Sequence, residues 1–187
     1  MITYTTAQTK ADLEGVLELQ KANLTRNLSP EEIKNQGFVT IQHSYKQLAK
    51  LNEIEAHLIA KDGDRVIAYL LAMTAASKND IAILDPLFES FDKLEYKGIK
   101  IADYKYLVVG QVCVDKDYRG QGILDACYAA YKQFFGRKYD FAITEIARHN
   151  VRSLKGHQRV GFKEIHSHQE NGQTEWVVVI WDWKENY

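Results

Sequence analysis

The feature that most constrains the fold is the run Tyr106–Val114, which is nearly continuously apolar and rich in β-branched residues. A run of this composition is typical of a strand buried on both faces. A helical pattern follows over residues 120–135, then a second strand over 141–147 and a second helix over 150–160. Strand, helix, strand and helix in this order predict an α/β (α+β) fold, a mixed sheet with a parallel pair at its centre.

Capping motifs and a hairpin signal organise the N-terminal part of the chain. Thr9 and Asp12 have the spacing of a capping box, and Ser29 followed by Pro30 is typical of a helix start. An Asp-Gly step at Gly63, between two apolar runs, indicates an antiparallel hairpin. The predicted elements are a strand (2–6), a helix after Thr9, a helix after Ser29 interrupted near Gly37, a helical stretch (44–51) and two strands (55–60 and 65–74).

A long connection, residues 77–103, separates this hairpin from the central strand, and a short helix is predicted within it at 85–94. Connections of this length in a compact domain are often functional. A second hairpin ends the chain, with strands at 162–167 and 176–183 around a turn at Asn171-Gly172. Because no internal repeat or proline-rich linker is found, residues 1–187 are expected to form one domain.

Composition narrows the classes of partner and cofactor. With 24 basic and 25 acidic residues the net charge is −1, so no overall field attracts nucleic acid or an anionic membrane, and neither is expected as a partner. The two cysteines, Cys113 and Cys127, lack the spacing of a zinc site or a redox pair, and no metal is expected. No signal peptide or membrane-spanning run is recognised, which favours a cytoplasmic protein.

The candidate anion site is the glycine-containing turn between the central strand and the helix that follows it. The first N–H groups of a helix have no partner within the helix and bind anions. Gly120 and Gly122 allow a bulky anion to approach the backbone closely, and Arg119 adds a positive charge. The pattern predicts a pyrophosphate cradle, with an ordinary strand-to-helix turn as the alternative.

Two motifs resemble those of a known family. The stretch from Arg119 to Leu124 resembles the Arg/Gln-x-x-Gly-x-Gly/Ala signature of the GNAT superfamily of acetyl-CoA-dependent N-acetyltransferases, with Leu124 where the family has Gly or Ala. Residues 150–162 resemble its Asn-x-x-(small)-x-x-x-Tyr-x-x-x-Gly-Phe stretch, with His157 at the tyrosine position. The order of elements is similar along nearly the whole chain. The resemblance implies a GNAT-like mixed central sheet with a splayed parallel strand pair, flanked by helices.

The resemblance implies that acetyl-CoA, as co-substrate, lies in the gap between the two parallel strands. Its pantetheine arm would pair with the backbone after Gln111, and its pyrophosphate would lie on the glycine turn. The cofactor-binding residues implied are Val112, Cys113, Val114, Arg119, Gly120, Gln121, Gly122, Ile123, Leu124, Asp125 and Asn150. The 3′-phosphate could meet some of a run of basic residues, although a solvated helix face is the alternative: Arg148, Arg152, Lys155 and Arg159.

Two residues are the candidates for proton transfer. The family residue at the position of His157 is commonly a tyrosine that protonates the departing thiolate, and imidazole could do so if it is charged or presents an N–H. Glu145, on the second parallel strand, is placed where some family members have a general base. The alternatives are a packed helix histidine and a surface acid. Gln111 could orient an acceptor, and Cys113 is interpreted as packing rather than as a nucleophile.

The predicted function is direct transfer of an acetyl group from acetyl-CoA to a primary amine on a small molecule or a peptide. A non-catalytic CoA-binding regulatory module is the alternative from another class. Residues 36–51 and 77–103 are expected to wall the acceptor site. The apolar segment 176–183 is a candidate contact between the subunits of a homodimer.

Overall fold

The computed structural model describes residues 1–36, 38–78, 85–170 and 174–184. No helix in these ranges is long and apolar enough to span a membrane. The elements are β1 (Ile2–Thr6), α1 (Lys10–Ala22), α2 (Pro30–Gln36), α3 (Tyr45–Ile54), β2 (Leu58–Asp62), β3 (Arg65–Met73), α4 (Asp85–Asp92), β4 (Glu95–Tyr96), β5 (Ile99–Lys100), β6 (Tyr106–Val114), α5 (Ile123–Phe135), β7 (Phe141–Ala147), α6 (Val151–Val160), β8 (Lys163–Glu170) and β9 (Thr174–Asp182).

Seven strands form one mixed sheet in the order β1-β2-β3-β6-β7-β9-β8. Within it β6 and β7 run parallel, and the other neighbouring strands are antiparallel. Helix α5 makes the connection between the two parallel strands, as the sequence predicts. The mixed α/β fold with a parallel pair is therefore confirmed.

The parallel strands pair only at their beginnings. Tyr106, Leu107 and Val108 lie opposite Phe141, Ala142 and Ile143, and no pairing follows although both strands continue. On its other side β6 contains a bulge, because Leu70 pairs with Val112 while Ala72 pairs with Val109. An inserted residue bends and twists the strand that carries it. The second half of β6 thus leaves β7, and a gap opens between them.

Helices cover both faces of the sheet. On one face α1, α3 and α4 pack over residues such as Tyr69 and Val108, which are fully buried. On the other face α5 packs through Cys127 and Tyr128, also fully buried. The gap between the parallel strands is therefore the place where a cleft can connect the two faces of the sheet.

Local signals fix several element boundaries. The Thr9–Asp12 capping box forms at the start of α1, and Ser29 accepts from the Glu32 N–H at 3.2 Å at the start of α2. Gly161, with φ of 119°, ends α6 as predicted. The predicted break at Gly37 and the turn at Asn171-Gly172 lie outside the described residues.

Other boundaries differ from the sequence predictions. Strand β2 begins at Leu58 rather than at residue 55, because α3 continues to Ile54 and Glu55 caps it. Helix α5 begins at Ile123, since the glycines before it have positive φ. Phe134, expected on the buried stripe of α5, is exposed.

The expected subunit contact at residues 176–183 is not available as a surface. Strand β9 lies between β7 and β8, so the segment is an interior strand of the sheet. Val177, Val178 and Val179 are almost completely buried within the chain itself. The apolar character of this segment serves the core, and the prediction of a dimer contact there was wrong.

Candidate active site

A cleft of about 630 Å³ lies where β6 separates from β7. Its walls are the end of β6, the glycine turn, the first turn of α5 and one side of α6 along most of its length. Eleven of the thirteen predicted site residues line it: Val112, Cys113, Val114, Arg119, Gly120, Gly122, Ile123, Leu124, Asp125, Asn150 and His157. The other two, Gln121 and Glu145, do not line this cleft. Gln121 is exposed, and its side-chain amide donates to the Asp117 carbonyl at 2.9 Å.

The glycine turn has the geometry of an anion cradle. Gly120 and Gly122 have φ values of 75° and 77°, a region that other residues avoid. A Cβ atom on either would have no neighbour within 4 Å, so open space lies in front of both. Gly122 is the N-cap of α5, and the N–H groups of the following turn have no partner within the helix. Backbone donors, space and a helix N-terminus thus fit a pyrophosphate.

Arg119 is fixed at the edge of the same turn. Its Nε donates to the Val114 carbonyl at 3.1 Å, and its Nη2 donates to Asn23 Oδ1 at 2.5 Å. Asn23 follows the last residue of α1 and also lines the cleft. The guanidinium is therefore oriented by groups from two elements before any ligand binds.

Leu124, the departure from the family signature, packs against α6. A Cβ atom on Gly156 would lie 2.8 Å from its Cδ2. The larger side chain at position 124 is thus accommodated by the smallest residue on the opposite helix, and the cleft stays open beside it.

The basic residues of the second motif have different neighbours. Arg148 binds Glu164 and Glu175, and it does not line the cleft. Arg159 pairs with Asp125 at 2.9 Å across the cleft mouth. Arg152 and Lys155 also line the cleft.

His157 is buried, with 2% of its surface exposed. Its Nδ1 lies 2.8 Å from the Ser153 carbonyl oxygen, and its Nε2 lies 2.6 Å from the Tyr128 hydroxyl. Because a carbonyl only accepts, Nδ1 carries the proton and Nε2 accepts from Tyr128. Burial lowers the pKa of His157 to about 4, so the ring is neutral near pH 7.

A second cavity of about 150 Å³ lies on the other side of His157. Six residues line both cavities and form their shared wall: Phe38, Val39, Val112, Asn150, Ser153 and His157. From this wall the second cavity reaches Glu145, which is partly buried.

Glu145 lies on the face of β7 that the alternation predicts. Phe141 and Ile143 are buried in the core beneath α1 and α4, and Glu145 continues their row. Its Oε2 is 3.8 Å from His168 Nε2. The carboxylate thus ends an apolar row next to the second cavity.

Gln111 connects the strand β6 to residues 38–41, which cover the second cavity. Its Oε1 accepts from Tyr69 at 2.6 Å and from Gln20 at 2.7 Å, and its Nε2 donates to the Ile41 carbonyl at 2.9 Å. Gln20 also accepts from the His43 backbone N–H at 2.8 Å. Residues 38–41 are thereby fixed across the cavity. The amide of Gln111 is engaged by the protein, which leaves it little capacity to orient an acceptor.

Sequence reasoning missed several residues of these cavities. Ser153 occupies the small position of the second motif, and its place in that motif was the available signal. Trp176 had no local signal, and neither had Gln20, which lines neither cavity but supports Gln111 from 91 positions away.

Cys113 behaves as a packing residue. Burial raises the pKa of its thiol to about 12, so the nucleophilic thiolate is scarce near neutral pH.

Comparison with known protein families identifies the architecture. A model of the acetyltransferase (GNAT) family matches residues 21–162, a range that includes the glycine turn, Glu145 and His157. The chain belongs to the GNAT acetyltransferase family. As a member of it, the chain is an acetyl-CoA-dependent N-acetyltransferase.

Solved structures share the GNAT fold over nearly the full chain. The ribosomal-protein-S18-alanine N-acetyltransferase from Escherichia coli is 13% identical with a TM-score of 0.65, covering 100% of this chain and 97% of its own. The protein yncA from Salmonella typhimurium, solved with acetyl-CoA, is 14% identical with a TM-score of 0.62, covering 99% and 95%. A chain of the NatC complex bound to Gag peptide and CoA is 13% identical with a TM-score of 0.64, covering 97% and 98%.

The TM-scores show that these proteins share the GNAT fold. At such low sequence identity, the acceptors of these proteins are not assigned to this chain. The comparison with curated proteins found no match.

Proposed function

We propose that this GNAT acetyltransferase transfers the acetyl group of acetyl-CoA directly to an amine bound in the second cavity. The observation that carries the proposal is the shared wall between the two cavities. It would place the thioester between the glycine cradle, on one side, and Glu145 on the other.

The proposed position of acetyl-CoA follows the open edge of β6. Beyond Val108 this edge of β6 does not pair with β7. Its backbone N–H and C=O groups from Val112 to Val114 can therefore form hydrogen bonds with the pantetheine arm. The pyrophosphate lies on the turn from Arg119 to Asp125, where α5 begins. Arg152 and Lys155, which line the same cleft, are the proposed neighbours of the 3′-phosphate.

The chemical step requires a neutral amine. Glu145 accepts a proton from the acceptor ammonium, directly or through water, and the amine then attacks the thioester carbonyl. A backbone N–H between Val112 and Val114 donates to the developing oxyanion. The carbon–sulfur bond breaks, the acetamide forms, and the departing thiolate takes a proton to become the CoA thiol.

His157 is the proposed source of that proton, and its hydrogen bonds set a condition on the role. At pH 7 a pKa of about 4 leaves only about one ring in a thousand charged. Because loss of the Nδ1 proton alone would leave an imidazolate, the neutral ring must take up at Nε2 the second proton of the attacking nitrogen as it gives the thiolate the Nδ1 proton, which the Ser153 carbonyl holds at 2.8 Å. The Ser153 hydroxyl lies 3.4 Å from Nδ1. Donation then requires the leaving sulfur to compete with Ser153 for this proton.

The test is release of free thiol from acetyl-CoA with a panel of amines. Turnover with at least one amine, together with thermal stabilisation by acetyl-CoA, is the expected result. At a hundred times its dissociation constant a ligand of the folded state stabilises it by about 2.7 kcal/mol. Binding of acetyl-CoA without turnover of any amine would instead identify a CoA-binding regulatory module.

A further inference from the structure

The second cavity is largely apolar beyond the wall that it shares with the CoA cleft. Its size, about 150 Å³, is comparable to engineered protein cavities that bind benzene. The apolar side chains that line it away from the shared wall come from five parts of the chain: Ile41, Leu87, Val109, Ile146 and Trp176.

Two polar side chains of the second cavity are already occupied by protein partners. Gln111 binds Tyr69, Gln20 and the Ile41 carbonyl, as described above. Thr144 Oγ1 donates to the Val109 carbonyl at 2.8 Å. These hydrogen bonds hold the walls of the cavity together.

Among the described residues that line the second cavity, Glu145 carries the one formal charge at neutral pH. His157, in the shared wall, is neutral because burial lowers its pKa to about 4. The cavity therefore offers one negative charge at the edge of an apolar space. A ligand complementary to it has one positive charge and an apolar body.

We infer that the acceptor is a monoamine: one ammonium group beside Glu145, joined to an apolar body about the size of a benzene ring. The inference rests on the proposed function and names its substrate class. A free arylalkylamine and a peptide whose N-terminal residue is apolar share this chemistry.

Two other classes of amine fit the cavity poorly. The additional ammonium groups of a polyamine would have to lie against apolar side chains such as Ile41 and Leu87, and burying an unpaired charge is costly. The carboxylate of a free amino acid would lie close to Glu145, and like charges repel. Described residues of the cavity supply no cation to offset it.

The experiment compares kcat/KM for four acceptors with the purified full chain: phenethylamine, phenylalanine, spermidine and a peptide amide with an N-terminal phenylalanine. Phenethylamine or the peptide amide should exceed phenylalanine and spermidine by tenfold or more, and the better of the two identifies the source. A higher kcat/KM for spermidine or phenylalanine overturns the inference while supporting acetyl transfer. No turnover of any amine, with acetyl-CoA still bound, overturns the proposed function and the inference with it.

A charge added to the cavity gives a second, independent readout. Ile41→Glu should raise the ratio of spermidine to phenethylamine turnover by tenfold or more, because a second carboxylate can pair with a second ammonium. Thr3→Glu is the control. It adds the same charge at an exposed position of β1, a strand at the edge of the sheet, and should leave the ratio unchanged. An unchanged ratio in folded Ile41→Glu overturns the assignment of this cavity to the acceptor.

Discussion

The side chain of Leu124 occupies the space left by the missing side chain of Gly156, where a Cβ atom would come within 2.8 Å. The two residues come from different helices that both line the larger cleft, the proposed site of acetyl-CoA. We expect Gly156→Ala to push Leu124 toward the ligand and weaken acetyl-CoA binding by about tenfold, a cost of about 1.4 kcal/mol.

The double variant Gly156→Ala/Leu124→Ala is the matched control for this prediction. It removes the crowding and should restore the affinity measured by calorimetry. An affinity in Gly156→Ala equal to that of the parent chain would show that Leu124 moves away from the cleft instead.

Gly122 is the residue at which a side chain should most directly block the pyrophosphate. Gly122→Val places a branched side chain in the open space of the cradle and should abolish detectable CoA binding. It also strains the backbone at φ of 77°. Gly63→Val carries a similar strain at φ of 59° in the β2–β3 turn, so it should lose stability without losing CoA. Retained CoA binding by folded Gly122→Val would place the cradle elsewhere.

Glu145→Gln keeps the shape of the side chain and removes its ability to accept a proton. A positioned base contributes about a hundred- to ten-thousand-fold in rate, and kcat should fall accordingly. Part of the loss should be recovered at high pH, where more of the acceptor amine is already neutral. Glu14→Gln, on the exposed face of α1, is the control and should leave kcat and its pH dependence unchanged. The base assignment fails if the two variants have the same pH–rate profile.

His157→Phe retains a ring and removes the predicted proton donor, whereas His157→Tyr introduces the residue common in the family. We expect kcat to fall about a hundredfold or more in the first variant and to be retained in the second. Steady-state turnover across pH, with CoA affinity measured separately, checks both. If His157→Phe matches the parent chain, the thiolate leaves without help from this side chain.

Stability should depend on pH through the buried histidines. Burial lowers the pKa of His157 to about 4 and that of His57 to about 3, so unfolding exposes both to protonation. Below the unfolded pKa of about 6.5 the unfolded state binds protons that the folded state does not, and the free energy of unfolding falls. From about pH 6.5 down to 4 each histidine should contribute a slope of up to about 1.4 kcal/mol per pH unit.

Chemical denaturation across this pH range measures the slope. His157→Phe should reduce it, whatever the variant does to absolute stability at pH 7. An equal slope in the variant would indicate that the imidazole is accessible to protons in the folded chain.

The sequence predicted best what is decided locally. The boundaries of β6 and β7 follow from apolar composition, and the starts of α1 and α6 follow from capping side chains such as Thr9 and Asn150. The glycine turn was recognised because close approach of an anion to the backbone requires glycine, and the structure adds that both glycines have positive φ. These features need no knowledge of distant residues.

Features that depend on contacts between distant parts of the chain were not predicted. The β4–β5 hairpin has two residues in each strand, too few to produce a pattern. The hydroxyl that donates to Nε2 of His157 belongs to Tyr128, 29 positions away on another helix. Similarly, the Gln20–Gln111 hydrogen bond joins α1 to β6, and no local spacing indicates it.

The bulge in β6 changes which residues face which side of the sheet. Before it, even-numbered Tyr106 and Val108 point toward α1 and α4; after it, odd-numbered Cys113 does so, while Val112 and Val114 pack on the α5 side. Removing one residue at 110–111 would restore simple alternation and leave both sets on their present sides, whereas a strand of unchanged length without the bulge would exchange them. Cys113 would then face α5, and Val112 and Val114 would face the opposite core. The parity of one strand thus determines which side chains pack on the α5 side of the sheet and which pack beneath α1 and α4.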